Sequence, residues 1–159
     1  MRANPEIWDG DRPGAGPGWG SPETVEVVVV AARDVSLGPA RSPEEVHAVL
    51  ADAFNRGDLE AVVDLYDDDA ALVVPTDDRL VRGRAEIRAA TAPVLAASPR
   101  FSSVVERKLE SGGLALTHAR WELAGTTADG SPLRLSGQGT IVSRRRPDGT
   151  WGIVLDYPR

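Results

Sequence analysis

The feature that most narrows the fold of this chain is a change of period part-way along it. In the segments 46–66 and 84–95 apolar residues recur every three or four positions, and from Phe101 onward they tend to alternate every two. Helical repeats followed by strands and tight turns describe helices packed on an antiparallel meander. That is an α+β architecture, and it argues against the β-α-β alternation of a doubly wound parallel sheet.

The first helix is signed at both ends. Ser42-Pro43-Glu44-Glu45 supplies a capping serine, a proline at the first helical position and a glutamate three places after the cap, which is a capping box. Val46, Val49, Leu50, Ala53 and Phe54 make one stripe, and Gly57 stops the helix. Asp58 caps a short second helix carrying Leu59, Val62, Val63 and Tyr66, which Asp67, Asp68 and Asp69 end as a solvated turn. Residues 70–74 are expected as a strand stopped by Pro75, 76–79 as a turn, and 84–95 as a third helix that Pro93 ends or kinks. Strands are then expected at 101–109, 114–123, 133–145 and 151–157. Ser111-Gly112-Gly113, Asp129-Gly130 and Asp148-Gly149 mark the turns.

This divides the chain into three parts. Residues 1–22 hold five of the 16 glycines and four of the 12 prolines, too little apolar surface to offset the entropy of ordering, so a disordered or loosely docked tail is expected. Residues 23–41 supply an extra strand at 24–31 and a linker. Residues 42–159 form the main domain. The composition excludes several function classes. There are no cysteines and only two histidines, far apart in sequence, so no metal site is expected. A net charge of -6 lacks the basic footprint that nucleic acid requires. There is no apolar run long enough to cross a membrane and no secretory leader pattern, so a cytoplasmic protein is expected.

Alternation sorts the strand residues onto two faces. Ala115, Thr117, Ala119, Trp121 and Leu123 form the drier face of one strand, and Leu133, Leu135, Gly137, Gly139 and Ile141 that of the next. These should face the helices. His118, Arg120, Glu122 and Gln138 should face out. The last strand is ambiguous by pattern. A curved sheet wrapped on three helices leaves a cavity lined by its small inner residues, and its outer face suits a homodimer.

The segment Phe54-Asn-Arg-Gly-Asp58 continuing to Ala70, then Gly83-Arg-Ala-Glu-Ile87 and Gly149-Thr-Trp-Gly-Ile-Val154, resembles the nuclear transport factor 2-like superfamily. This is the cystatin-like cone that includes ketosteroid isomerase and the SnoaL-like polyketide cyclases. The resemblance covers roughly residues 42 to 157 and implies a cone-shaped α+β barrel of three helices on a curved, mixed-edge sheet. It does not imply one reaction, because the fold hosts many. Carried onto this chain, the isomerase's general base falls at Val74, its oxyanion tyrosine near Leu50 and its second aspartate near Gly137 or Gln138. None of these supplies the needed group, so that constellation is absent.

The same resemblance turns Val154, Asp156 and Pro158 inward and puts Asp156 at the cavity near Trp121. A carboxyl buried against apolar neighbours becomes an acid or base near neutrality. Asp156 is therefore the candidate catalytic group, with Tyr66 as its hydroxyl partner; the alternative is that Asp156 sits at the rim and bonds backbone amides. Phe54, Leu72, Val74, Trp121 and Leu135 are the candidate ligand-binding walls, with Trp121 as wall rather than participant. His47 is expected on the polar side of the first helix and His118 on the outer sheet face. Lys108 is the only lysine, in a strand that reads as surface. Arg144, Arg145 and Arg146 are expected as a solvated or salt-bridged hairpin tip. The function expected is binding of a small hydrophobic molecule. With it would go cofactor-free isomerase, cyclase or dehydratase chemistry of the kind the family shows in secondary metabolism. The alternative is a non-catalytic dimerisation or ligand-sensing module.

Overall fold

A computed structural model describes residues 37–159; the expected tail and the strand at 24–31 lie outside the described residues. The first helix, α1 (Pro43–Arg56), starts where its cap directs. Ser42 Oγ accepts from the Glu45 amide at 3.2 Å. The return half of the box is redirected, because Glu45 Oε2 takes the amide of Arg41 at 2.7 Å. Gly57 ends the helix at φ 69°, in the left-handed region that a side chain disfavours. Asp58 Oδ1 accepts from the Ala61 amide at 3.0 Å and opens α2 (Leu59–Asp64).

Here the structure departs from the sequence expectation. Tyr66 does not close α2; it opens β1 (Tyr66–Val73), and the three aspartates are extended backbone rather than a turn. They lie in the interruption of the ladder between β1 and the last strand, and Tyr66 and Ala71, which pair with Ile153 and Leu155 on either side, hold the run extended against the poor strand propensity of aspartate. Arg146 supports the run: its Nε donates to Asp67 Oδ1 at 3.0 Å and its Nη2 to the Asp64 carbonyl at 3.1 Å. A three-residue strand, β2 (Leu80–Arg82), was not expected; it is too short to show a period. α3 (Gly83–Ala96) runs past Pro93, which lies exposed near its last turn.

The rest is the expected meander: β3 (Arg100–Ser111), β4 (Leu114–Thr126), β5 (Pro132–Arg145) and β6 (Trp151–Pro158). The sheet has six strands in the order β2-β1-β6-β5-β4-β3. β1 and β6 are parallel and the other pairs antiparallel, so the sheet is mixed. Extra residues at Glu106 in β3 and Val154 in β6 interrupt the register, and such bulges bend a sheet. The helices cover the concave face, α1 against β3 and β4 and α3 against β1. The core between them holds Val46, Leu50, Val62, Ile87, Ile141 and Ile153. β4 passes so close to the end of α3 that a Cβ on Gly125 would lie 2.6 Å from the Ala97 carbonyl oxygen. The molecule is thus the α+β cone of the nuclear transport factor 2-like fold. No helix among the described residues is long and apolar enough to cross a membrane.

Candidate active site

The cavity forms because the inner face of the sheet is lined by small residues where the helices bridge it. It encloses about 100 Å³ and is walled mostly by apolar side chains, among them Leu50, Phe54, Leu72, Val74, Leu135 and Ile141. Phe54 and Phe101 close one side with ring centroids 5.1 Å apart. The alternation expected for β4 and β5 holds: Ala115, Thr117, Ala119, Trp121 and Leu123 are buried, while Leu114, Leu116, Arg120 and Glu122 are exposed.

In β6 the bulge resolves the ambiguity. Ile153 faces Ser143 and Leu155 faces Val142, so Val154 is extra and the parity of the strand changes across it. Trp151 and Ile153 point into the core before the bulge. After it, Asp156 and Pro158 line the cavity, while Leu155 and Tyr157 are exposed. By leaving Val154 out of the ladder, the bulge sets Asp156 opposite Ile141 on the inner face.

Asp156 meets Tyr66 across the β1–β6 pair, and the Tyr66 hydroxyl donates to Asp156 Oδ2 at 2.7 Å. Burial pushes the Asp156 carboxyl up to about 6, against the lowering effect of the Tyr66 hydrogen bond. Tyr66 is held well above its ordinary range, first by burial and then by the charge of Asp156 and the bond to it, so it stays a donor. Among the described residues Asp156 accepts from the Tyr66 hydroxyl and not from backbone amides at a rim, and it is the one carboxylate lining the cavity.

The reading of His47 is corrected. It is 4% exposed and lines the cavity instead of facing solvent. Thr117 Oγ1 donates to the Ile141 carbonyl at 3.3 Å, so it accepts from His47 Nε2 at 2.7 Å. Nδ1 then holds the lone pair that accepts the Ser103 hydroxyl at 2.9 Å. Burial pushes the imidazole down to about 4, against the opposing pull of Glu44. The spacing carried a signal for this: His47, Leu50 and Phe54 are related by i+3 and i+7, and all three face the cavity. Ser103 was likewise not singled out, and one serine in a strand carries no mark of its role.

The other expected site residues lie together. Tyr66, Phe54, Leu72, Val74, Trp121, Leu135 and Asp156 all line this one cavity. His118 lies on the other side of the sheet, its Nδ1 3.2 Å from Thr140 Oγ1. Lys108 reaches Glu44 at 2.6 Å. Arg144 and Arg146 are salt-bridged to Asp67 at 3.6 and 3.0 Å. Among the described residues no three His, Cys, Asp or Glu side chains gather as they would to hold a metal ion.

A cone of three helices on a bent mixed sheet, closed over an oily hollow with one acid–phenol pair, defines a nuclear transport factor 2-like domain. The profile of the SnoaL-like domain family matches residues 46–151, and the chain belongs to that family. Solved structures agree with this at the level of the fold. A Mycobacterium tuberculosis protein of unknown function shares 23% identity over 73% of this chain and 68% of its own, with a TM-score of 0.62. A ketosteroid isomerase-like protein from Erwinia carotovora shares 22% over 71% and 88%, also at 0.62. A candidate dehydratase of the nuclear transport factor 2-like family from Streptomyces avermitilis shares 19% over 73% and 93%, at 0.60. No curated protein matches the sequence.

Proposed function

We propose that the domain binds a small, largely apolar molecule in this cavity. In this reading Asp156, oriented by Tyr66, performs cofactor-free acid–base chemistry on it: an isomerisation, cyclisation or dehydration. The supporting observation is the 2.7 Å Tyr66–Asp156 pair in an otherwise apolar hollow. A carboxyl near pH 6 exists in both protonation states near neutrality, as an acid–base catalyst must. The reaction is not that of the isomerase constellation, since Val74, Leu50 and Gly137 or Gln138 stand where the resemblance puts its base, phenol and second acid. A thermal-shift screen of flat apolar ketones and phenols tests the reading. A compound that raises the melting temperature of the wild type, and that Asp156→Asn binds without turning over, supports it. Turnover that survives in Asp156→Asn removes Asp156 from catalysis.

A second observation favours self-association. Leu109, Leu116, Val142 and Leu155 stand opposite one another on four adjacent strands of the outer face. Leu109 is 69% and Leu155 49% exposed. A row of apolar side chains across a bent face suits a second copy of the chain. Sedimentation of the wild type and of Leu116→Glu tests this: a dimer that the variant splits supports it, and a wild-type monomer at micromolar concentration ends it. Solved structures of two association domains, from Xanthomonas campestris and Thiobacillus denitrificans, share the fold.

A further inference from the structure

The two edges of the sheet are unlike. At one, β2 is three residues long, and Glu86 Oε2 takes its Arg82 amide at 2.9 Å. At the other, β3 is 12 residues long and, among the described residues, pairs with β4 alone. Asn55 on α1 shows which backbone groups of β3 face outward. Its Oδ1 accepts the Phe101 amide at 2.7 Å and its Nδ2 donates to the Phe101 carbonyl at 3.0 Å. Backbone groups alternate in direction along an antiparallel strand, so those of Ser103 and Val105 point the same way as those of Phe101. The extra residue at Glu106 shifts the parity by one, and the groups of Glu110 then face outward too. Among the described residues no hydrogen bond meets the outward groups of Ser103, Val105 and Glu110. A long open edge is a template for one more strand.

The chain carries a segment suited to it. Residues 24–31 read Thr-Val-Glu-Val-Val-Val-Val-Ala, six of the eight β-branched, a composition that favours strand and promotes aggregation when left in water. The segment lies outside the described residues, and its reach is set by Leu37, where they begin. The Leu37 amide donates to Asp52 Oδ2 at 3.2 Å, near the C-terminal end of α1. α1 runs antiparallel to β3, since Glu44 near its start meets Lys108 at 2.6 Å and Asn55 near its end meets Phe101. Leu37 therefore stands at the Phe101–Ser103 end of β3. Residues 32–36 can span up to about 20 Å, more than the width of a helix, about 10–12 Å. We propose that residues 24–31 form a seventh strand on the open edge of β3 of their own chain, antiparallel to it, with Ala31 near Ser103 and Thr24 near Glu110. Both stretches are about 20–24 Å long. Main-chain hydrogen bonds hold such an added strand, and the exposed Leu109 at that edge gains an apolar neighbour. One contact thus covers both an open edge and a run of valines. It does not depend on what the cavity binds.

Hydrogen exchange of the full chain labelled with 15N tests this amide by amide. The amides of Ser102, Val104 and Leu109 bond to β4. Those of Ser103, Val105 and Glu110 should exchange as slowly, about a hundredfold or more below open amides. In the double variant Val27→Pro/Val28→Pro one proline must fall where an amide bonds to β3. The outward three should then be released while the inward three stay slow, which also reports that the domain is folded. The chain has no cysteine of its own, so a nitroxide can be placed singly. On Ala31→Cys it should broaden Ser103 more than Glu110, and on Thr24→Cys the reverse. The proposal is overturned by outward amides that exchange freely in the wild type or stay protected in the proline variant, and by labels that broaden both residues equally or in the opposite order. Broadening seen only when spin-labelled chains are mixed with separate 15N-labelled chains overturns it too, because the strand then belongs to a neighbouring copy.

Discussion

Asp156→Asn should make the protein more stable at alkaline pH while disabling it. Burial moves the Asp156 carboxyl from 3.8 to about 6. Each pKa unit corresponds to about 1.4 kcal/mol, so the ionised group is up to about 3 kcal/mol less favourable in the fold than in the unfolded chain. A raised pKa means that the folded state holds its proton more tightly. Below pH 3.8 both states are protonated and the charge costs nothing. As pH rises through 6 the folded state must give up that proton, and the full cost applies above it. Asp156 is partly exposed, so solvent reduces the figure to about 1–3 kcal/mol. Asparagine has nearly the same volume, stays neutral, and its Oδ1 can accept the Tyr66 hydroxyl. Urea denaturation at pH 8 and at pH 4 reads the effect. The variant should gain about 1–3 kcal/mol over the wild type at pH 8 relative to pH 4. His47 is present in both proteins and cancels in the comparison. A difference that does not change with pH, or that favours the wild type at pH 8, would refute the claim that the carboxyl is desolvated.

Other outcomes follow from the same structure. His47, at about 4 instead of 6.5 when folded, works in the opposite sense: stability is present above pH 6.5 and is lost as pH falls toward 4, by up to about 3 kcal/mol. His47→Gln should flatten that acid limb in a series of melting temperatures; an unchanged slope would put the acid lability elsewhere. Arg146→Ala leaves the Asp67 carboxylate, whose side chain is only 14% exposed, with Arg144 at 3.6 Å as its remaining salt-bridge partner. It should cost about 1–3 kcal/mol in urea titration. Gly125→Ala forces β4 off the Ala97 carbonyl and should cost about 1–3 kcal/mol by calorimetry; no loss would mean that the approach relaxes freely.

What was legible in the sequence is what local chemistry controls. The Ser42 cap, the Gly57 stop and the Asp148-Gly149 turn each act through their own neighbours, and each stands where the pattern put it. The alternation in β4 was legible because one face is fully buried and the other wet. What escaped was set by distant partners. Nothing near Asp67 announces an arginine supplied from beyond β5, so a run of acids held extended between two points of pairing with β6 looked like a turn. His47 looked like a surface residue because polarity was weighed above position. Its partners Ser103 and Thr117, on strands 56 and 70 residues away, are what allow it inside. Tyr66 and Asp156 were picked out by residue type and by the resemblance, but their contact spans 90 residues and appears only once the first strand lies parallel to the last.

The extra residue at Val154 has an evolutionary reading. Deleting it alone would leave Ile153 opposite Ser143 and Leu155 opposite Val142 in an unbroken ladder, so Asp156 would keep its inward place and the strand would lose only its kink. Drawing Val154 into the ladder instead would present Leu155 and Tyr157 to the hollow and send Asp156 and Pro158 to solvent. The chemical character of the interior is therefore held in where the backbone sets its surplus residue as much as in side-chain identity. A relative with its bulge beyond the acid could keep the same amino acids and lose the acid from its interior, becoming an inert container. Comparing which residue is left out of the ladder among family members would separate potential catalysts from mere receptacles before any of them is assayed.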